Sequence, residues 1–199
     1  MSKKIKTIVI AEAGVNHNGN LNLAFKLIDI AAKSKADYVK FQTYSTENLV
    51  QKKLGLAKYQ KKNLNRITSQ YKMLKKFELS EKDNLKIIKK CKKKKIKFLS
   101  SPFDLKSIDL LKKLKLQLIK IPSGEITNVP YLRKIGKLKK KIILSSGMSN
   151  IKEVKEAVKI LTSQGTKKRD ITVLHCTSEY PANQNTLNLL SIPFLKEKL

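Results

Sequence analysis

The sequence predicts an α/β fold of parallel strands, on three observations. Short apolar runs alternate with stretches of helical spacing, the runs are apolar nearly throughout, and each ends in a polar tip. Runs without a polar face suit strands covered by helices, as parallel sheets are.

The first run, residues 7–13, precedes a helix over 21–34 whose Leu21, Ala24, Phe25, Ile28 and Ala31 recur at helical spacing. A second strand over 38–43 completes a βαβ unit, whose crossover is right-handed. Residues 44–79 are polar and rich in Lys, Gln and Asn, with weak helical spacing around 69–77, and a connection this long reads as a functional loop or flap. Ser80 then opens a helix with Asp83 three residues on, a capping box in which the shorter Asp replaces Glu or Gln. Strands follow at 97–102, 118–122, 141–145 and 171–176, with helices at 105–114, 129–138 and 151–162 between them and a helix-like PFLKEKL at the end.

The strand tips decide between two closures. An open doubly wound sheet concentrates its chemistry at one switch point. Here AEAGVNHNG, VKFQT, LSSPFD, KIPSGE, LSSGMSN and LHCTSEYP put polar or ionisable groups after all six runs. A barrel brings every strand's carboxyl end to one face, which suits that distribution, and the expected architecture is a (β/α)8 TIM-barrel type. Such a barrel has eight strands and typically ~250 residues. Residues 1–199 are therefore expected to be a partial barrel of about six βα units, with the last two absent.

Composition excludes several classes. The net charge of +29 comes almost wholly from Lys, with Arg only at Arg66, Arg133 and Arg169, and the cations recur on every helix. Nucleic-acid surfaces favour Arg and interleaved aromatics, so a solvated surface is the better reading and no nucleic-acid partner is expected. A positive field would still draw an anionic small substrate. Cys91 and Cys176 have neither metal-ligand spacing nor a disulfide framework, and neither needs to be reactive. The first residues run straight into a strand without a signal peptide or membrane span, so a cytoplasmic location and no membrane partner are expected. There is no Walker loop or GxGxxG, so nucleotide binding is not indicated.

Lys40 and Lys120 stand in otherwise apolar strands and need partners if buried. A structural ion pair with Glu12 or Glu125 would satisfy them; so would the phosphate and carboxylate of one substrate. Ser100, Ser101, Ser123, Ser145 and Ser146 add hydroxyls, and Gly124 and Gly147 leave backbone N–H groups open to an anion. His17 lies in a turn, where solvent exposure or a local hydrogen bond on the one hand and a substrate contact on the other are equally open. His175 reads as a satisfied core histidine within its strand. Two histidines do not define a metal site.

At these residues, AEAGVNHNG, ADYVKFQT, FLSSPFD, IKIPSGEITN, ILSSGM and LHCTSEYPA together resemble the sialic acid synthase family, most of all its bacterial N,N′-diacetyllegionaminate synthases. The resemblance runs from Ile8 to Leu189. It implies condensation of phosphoenolpyruvate with an N-acylated mannose-type sugar, 2,4-diacetamido-2,4,6-trideoxymannose or N-acetylmannosamine, giving a nine-carbon sugar acid and free phosphate. Lys40, Ser101, Lys120, Ser123 and Ser145 match positions that hold phosphoenolpyruvate. Glu12, Gln42 and Tyr180 match positions facing the sugar, with Ser178 where some relatives have Asn. Glu125 matches an essential carboxylate near the reacting carbons, so Glu125, Lys120 and Lys40 are the catalytic candidates.

The resemblance further implies a divalent metal, Mn²⁺ or Mg²⁺, that polarises the sugar aldehyde. Its two histidine ligands are expected at the seventh and eighth strand ends, beyond Leu199, as is an antifreeze-like domain reaching into a partner's active site; a homodimer of the complete protein and a weakly active or inactive fragment are expected. PANQN at 181–185 departs from the family's usual PAP-type turn. The rival readings are a pseudaminic acid or other phosphoenolpyruvate-dependent synthase and a non-catalytic basic binding fragment.

Overall fold

The computed structural model describes residues 7–52, 69–179 and 182–199. It divides into two compact units, residues 1–100 and 101–199. Tyr180, Pro181 and the middle of the expected flap lie outside the described residues.

The first unit runs β1 (Ile10–Gly14), α1 (Leu21–Lys33), β2 (Tyr38–Thr43), α2 (Thr46–Leu49), α3 (Gln70–Phe77), α4 (Glu81–Lys93) and β3 (Lys97–Pro102), whose last two residues pass the division. Its sheet has the order β1-β2-β3, and β1 and β2 are parallel with Ile10 opposite Tyr38 and Glu12 opposite Lys40. Val39 and Phe41 of β2 join Ala13 of β1 in a core with Ala24 and Ile28 of α1 and Ile87 and Cys91 of α4. Because side chains on a strand alternate, Lys40 and Gln42 are left on the face opposite that core. Asn20 caps α1 through its side chain, and the Ser80–Asp83 capping box closes in both directions. Strand β1 starts at Ile10 and not at Thr7, because the Val9 carbonyl is taken by the amides of Asp37 and Tyr38 and its N–H by the Asp37 carboxylate. The expected flap begins and ends in helices α2 and α3, tied together where Glu78 accepts from the Thr46 hydroxyl and amide and where Lys75 bridges Glu47 and Glu78.

The second unit runs α5 (Leu105–Lys113), β4 (Leu118–Ile121), α6 (Val129–Gly136), β5 (Lys141–Ser145), α7 (Ile151–Ser163), β6 (Ile171–Leu174) and α8 (Ser191–Lys198). Strands β4, β5 and β6 are parallel neighbours, with Lys120 opposite Ile143 and Ser145 opposite Leu174. Ile119, Ile121, Ile142 and Leu144 face Ile108, Leu111, Leu132, Ile135, Val154 and Leu161 of α5, α6 and α7. Each such fully buried Ile or Leu contributes roughly 1.5–3 kcal/mol over exposure. Alternation again leaves Lys120 and Ser145 on the other face. Strand β4 stops before Pro122, which has no N–H to give the ladder. Strand β6 stops at Leu174 and not at Cys176, because β5 ends opposite it and the Leu174 carbonyl accepts from both the amide and the hydroxyl of Ser146.

Helices α1, α4, α5 and α7 all end in the same motif. The residue after the cap is left-handed and its N–H bonds back to the carbonyl three before it, while the next N–H bonds to the carbonyl five before it: Lys35 and Ala36, Lys95 and Ile96, Lys115 and Leu116, Gly165 and Thr166. Only α7 uses glycine there; the others place Lys at φ +59, +57 and +57. A Cβ in that conformation costs about 1–2 kcal/mol, of which about 0.5–1 is returned because glycine has the looser unfolded chain. Lys35→Gly, Lys95→Gly and Lys115→Gly should each stabilise the fold by about 0.5–1 kcal/mol in urea unfolding, whereas Gly165→Ala should destabilise it.

Candidate functional site

In the first unit, the register that sets Glu12 opposite Lys40 brings their side chains together, with Nζ 2.6 Å from Oε2. The Lys40 side chain is 13% exposed and that of Glu12 48%. The structural ion pair is thus one of the two sequence readings realised for Lys40. Gly14 stands beside this group at the β1 bulge, at φ +51, a conformation that favours glycine; a Cβ there would lie 3.3 Å from Glu12 Oε1 and in ordinary contact, 3.9 Å, with Gln42 Nε2. Glu12, Lys40 and Gln42 therefore form one polar group on the face away from the helices. Ser100 does not belong to it. Its hydroxyl is shared with Thr43 at 2.7 Å and reaches the Phe41 carbonyl at 3.3 Å, so it serves the sheet. Ser101, the next residue of β3, is buried on the opposite face of that strand, alongside Leu99.

In the second unit, Lys120 is 8% exposed; its ammonium donates to the Ile121 carbonyl at 3.1 Å and to the Ser145 hydroxyl. Ser123 opens a short 3-10 turn, Ser123–Glu125, and its hydroxyl accepts the Gly147 N–H at 3.0 Å. A Cβ on Gly147 would stand 2.8 Å from the Ser123 hydroxyl and 3.0 Å from that of Ser178. Glycine here lets two hydroxyls converge on one peptide. Lys120, Ser123, Ser145 and Ser178 thus gather within one unit, as the strand tips predict. Glu125 stands a turn further on, its Oε2 accepting from the Asn128 amide at 2.7 Å while Asn128 caps α6.

The sequence requires no reactive role of Cys176; the structure adds the surroundings of its thiol. Its thiol lies 3.6 Å from the Ser123 hydroxyl. Burial alone would raise its pKa, but the hydroxyls of Ser145 and Ser123 and the amides of Ser146 and Gly147 outweigh burial and hold it below the ordinary thiol value. A place whose donors favour a thiolate favours other anions too, and the adjoining ammonium of Lys120 adds a positive charge. No motif signals this: the donors come from the SSG turn at 145–147 and from Ser123 of the PSGE tip, and they meet the HCTS thiol only in the fold. By contrast Cys91 is buried in the first core, and burial pushes its thiol up to about 12.

Of the two histidines, His175 departs from its sequence reading, while His17 makes the local hydrogen bond that is one of the readings open to it. His175 lies past the end of β6, half-buried, with Nε2 2.6 Å from the Leu187 carbonyl, so it holds a loop and is not a core residue. His17 is the buried one, at 1% exposure, and its ring accepts a local hydrogen bond from Gly19. Among the described residues no three His, Cys, Asp or Glu side chains cluster as a metal site needs. No helix among them is long and apolar enough to cross a membrane.

The NeuB family matches residues 27–199. The chain is 55% identical over 192 residues to an N,N′-diacetyllegionaminic acid synthase of Campylobacter jejuni, covering 96% of this chain and 58% of that protein. It is 44% identical to the enzyme of the same name from Legionella pneumophila, covering 96% of this chain and 54% of that one. Among solved structures, N-acetylneuraminic acid (sialic acid) synthetase from Leptospira borgpetersenii, in complex with citrate, superposes with a TM-score of 0.81 at 32% identity, covering all of this chain and 66% of that one. The chain therefore spans somewhat over half the length of these curated relatives.

The thiol environments give a direct expectation. At neutral pH iodoacetamide should alkylate Cys176 at least about tenfold faster than Cys91, since the thiolate is the nucleophile. Ser123→Ala should slow Cys176 labelling; equal rates at the two cysteines, measured by peptide mass spectrometry, would contradict the assignment.

Proposed function

This chain belongs to the NeuB family, and we propose that it supplies the phosphoenolpyruvate-holding part of a sugar-acid synthase. The acceptor we propose is an N-acylated mannose-type sugar, 2,4-diacetamido-2,4,6-trideoxymannose ahead of N-acetylmannosamine, a choice supported by the 55% identity to the Campylobacter enzyme. The single observation that carries the reading is the donor group of the second unit, in which the buried Lys120 ammonium, the Ser145 and Ser123 hydroxyls and the Gly147 amide surround a place that favours negative charge. The proposal extends to the fold: the six strands are the first six of a (β/α)8 barrel.

In this reading Lys40, Ser101, Lys120, Ser123 and Ser145 bind the phosphate and carboxylate of phosphoenolpyruvate, and Glu12, Gln42, Ser178 and Tyr180 meet the sugar. Holding the anion in a fixed pose lowers the barrier by positioning. The C=C π pair of phosphoenolpyruvate forms a C–C bond to the aldehyde carbon of the open-chain sugar, whose C=O π pair moves onto its oxygen and takes a proton from water, and an oxocarbenium centre is left at the carbon bearing phosphate. Water adds there, and phosphate departs by C–O cleavage. Glu125, fixed by Asn128, orients that water or takes its proton. The residues described do not fit a divalent ion, so no step here is routed through a metal. Homodimerisation of the complete protein is part of the same proposal.

The test is phosphate release and product mass in the complete protein, with phosphoenolpyruvate and each candidate sugar. Lys120→Ala and Glu125→Gln should each lower kcat/KM by at least about a hundredfold. Wild-type kcat/KM in either variant would remove that residue from the site. Turnover of N-acetylmannosamine, or of a stereoisomer of the diacetamido sugar, in place of the mannose-type diacetamido sugar would keep the reaction and change the acceptor.

A further inference from the structure

Residues 15–19, between β1 and α1, form a tight turn whose ladder is its own: the Asn16 amide bonds to the Ala13 carbonyl at 3.0 Å, that of Asn18 to Val15 at 2.9 Å and that of Asn20 to His17 at 2.8 Å. At its centre His17 is 1% exposed, with its ring 6.0 Å from that of Phe41 on β2. Its Nδ1 accepts the Gly19 N–H at 3.1 Å. An accepting Nδ1 carries no proton, so in the neutral ring the proton is on Nε2. That Nε2 is buried and without a partner. The hydrogen bond at Nδ1 has a structural consequence, because Gly19 sits at φ +75 so close to the end of α3 that a Cβ would come within 2.0 Å of the Lys76 carbonyl oxygen.

We infer that His17 is an acid-sensitive latch: neutral, it locks the 15–19 turn against α3; protonated, it releases that turn. The imidazolium donates from both nitrogens. A proton on Nδ1 would then oppose the Gly19 N–H, donor against donor, and the bond that holds the turn would be lost. The charge would also be buried with no carboxylate reaching Nε2. Charged groups on the neighbouring elements are committed elsewhere: Glu12 of β1 to Lys40 of β2, and Lys75 of α3 to Glu47 and Glu78. Lys76 meets the turn at Gly19 through its backbone carbonyl. Burial accordingly holds the His17 pKa below its ordinary 6.5. A lowered histidine pKa means the closed turn binds fewer protons than the open one. Closure is therefore complete above about pH 6.5 and is lost progressively as pH falls from there toward the lowered value. The turn continues directly from β1, so its release frees the end of the strand that carries Glu12. The inference does not rest on the proposed reaction.

The experiment is amide hydrogen exchange of residues 15–20 from pH 8 to pH 5, corrected for the intrinsic rate, with the β5 core amides as the reference for global opening. In the wild-type protein the protection of Gly19 should hold to about pH 6.5 and then fall by up to about tenfold per pH unit while the β5 amides keep theirs. His17→Asn offers an uncharged acceptor in place of Nδ1 and should remove the pH response. NMR of the imidazole nitrogens, assigned by the signal missing in His17→Asn, should find Nδ1 unprotonated at pH 7. Flat wild-type protection, an unchanged response in His17→Asn, or a His17 titration at or above 6.5 would each overturn the latch.

Discussion

A strand gives its side chains two directions, and in both units helices take one of them. On β2 the helix side holds Val39 and Phe41, on β4 Ile119 and Ile121, and on β5 Ile142 and Leu144. What remains for Lys40, Gln42, Lys120 and Ser145 is the other face, and a slip of one residue in register would send every one of them into an apolar core. Burial of the branched side chains thus fixes where the polar ones point. The candidate site is a by-product of the core, held by the same free energy.

That arrangement places two ammonium groups out of bulk water, and each is handled differently. Lys40 is neutralised by Glu12 at 2.6 Å. Lys120 donates to the Ile121 carbonyl and to the Ser145 hydroxyl. Glycine acts at the same level. At Gly147 a methyl group would stand 2.8 Å from the Ser123 hydroxyl and 3.0 Å from that of Ser178, so the absence of a side chain there lets the two hydroxyls converge.

Much of this was legible in the sequence, because it follows from periodicity. The alternation of apolar runs and helical spacing located the strands and helices, and a lysine inside an apolar strand is conspicuous. The Ser80 capping box reads from two residues, since it is local. What could not be read depends on where pairing partners stop. Strand β6 is shorter than its apolar run because β5 ends first, and that leaves His175 and Cys176 in a tip. Ser100 looks like Ser101 in sequence, yet strand parity turns one hydroxyl into the sheet and the other to the opposite face. The burial of His17 and the lowered pKa of Cys176 arise from contacts across more than twenty residues, with Phe41 and with Ser123, which no local pattern encodes.

The face opposite the helices is the claim on which the functional reading stands. A crystal structure of the complete protein with phosphoenolpyruvate bound tests it most directly. The ligand should contact the Lys120 ammonium and the Ser123 and Ser145 hydroxyls, on the face of the second unit's sheet opposite its helices. Phosphoenolpyruvate held on the helix side, or only by exposed surface lysines, would contradict the account.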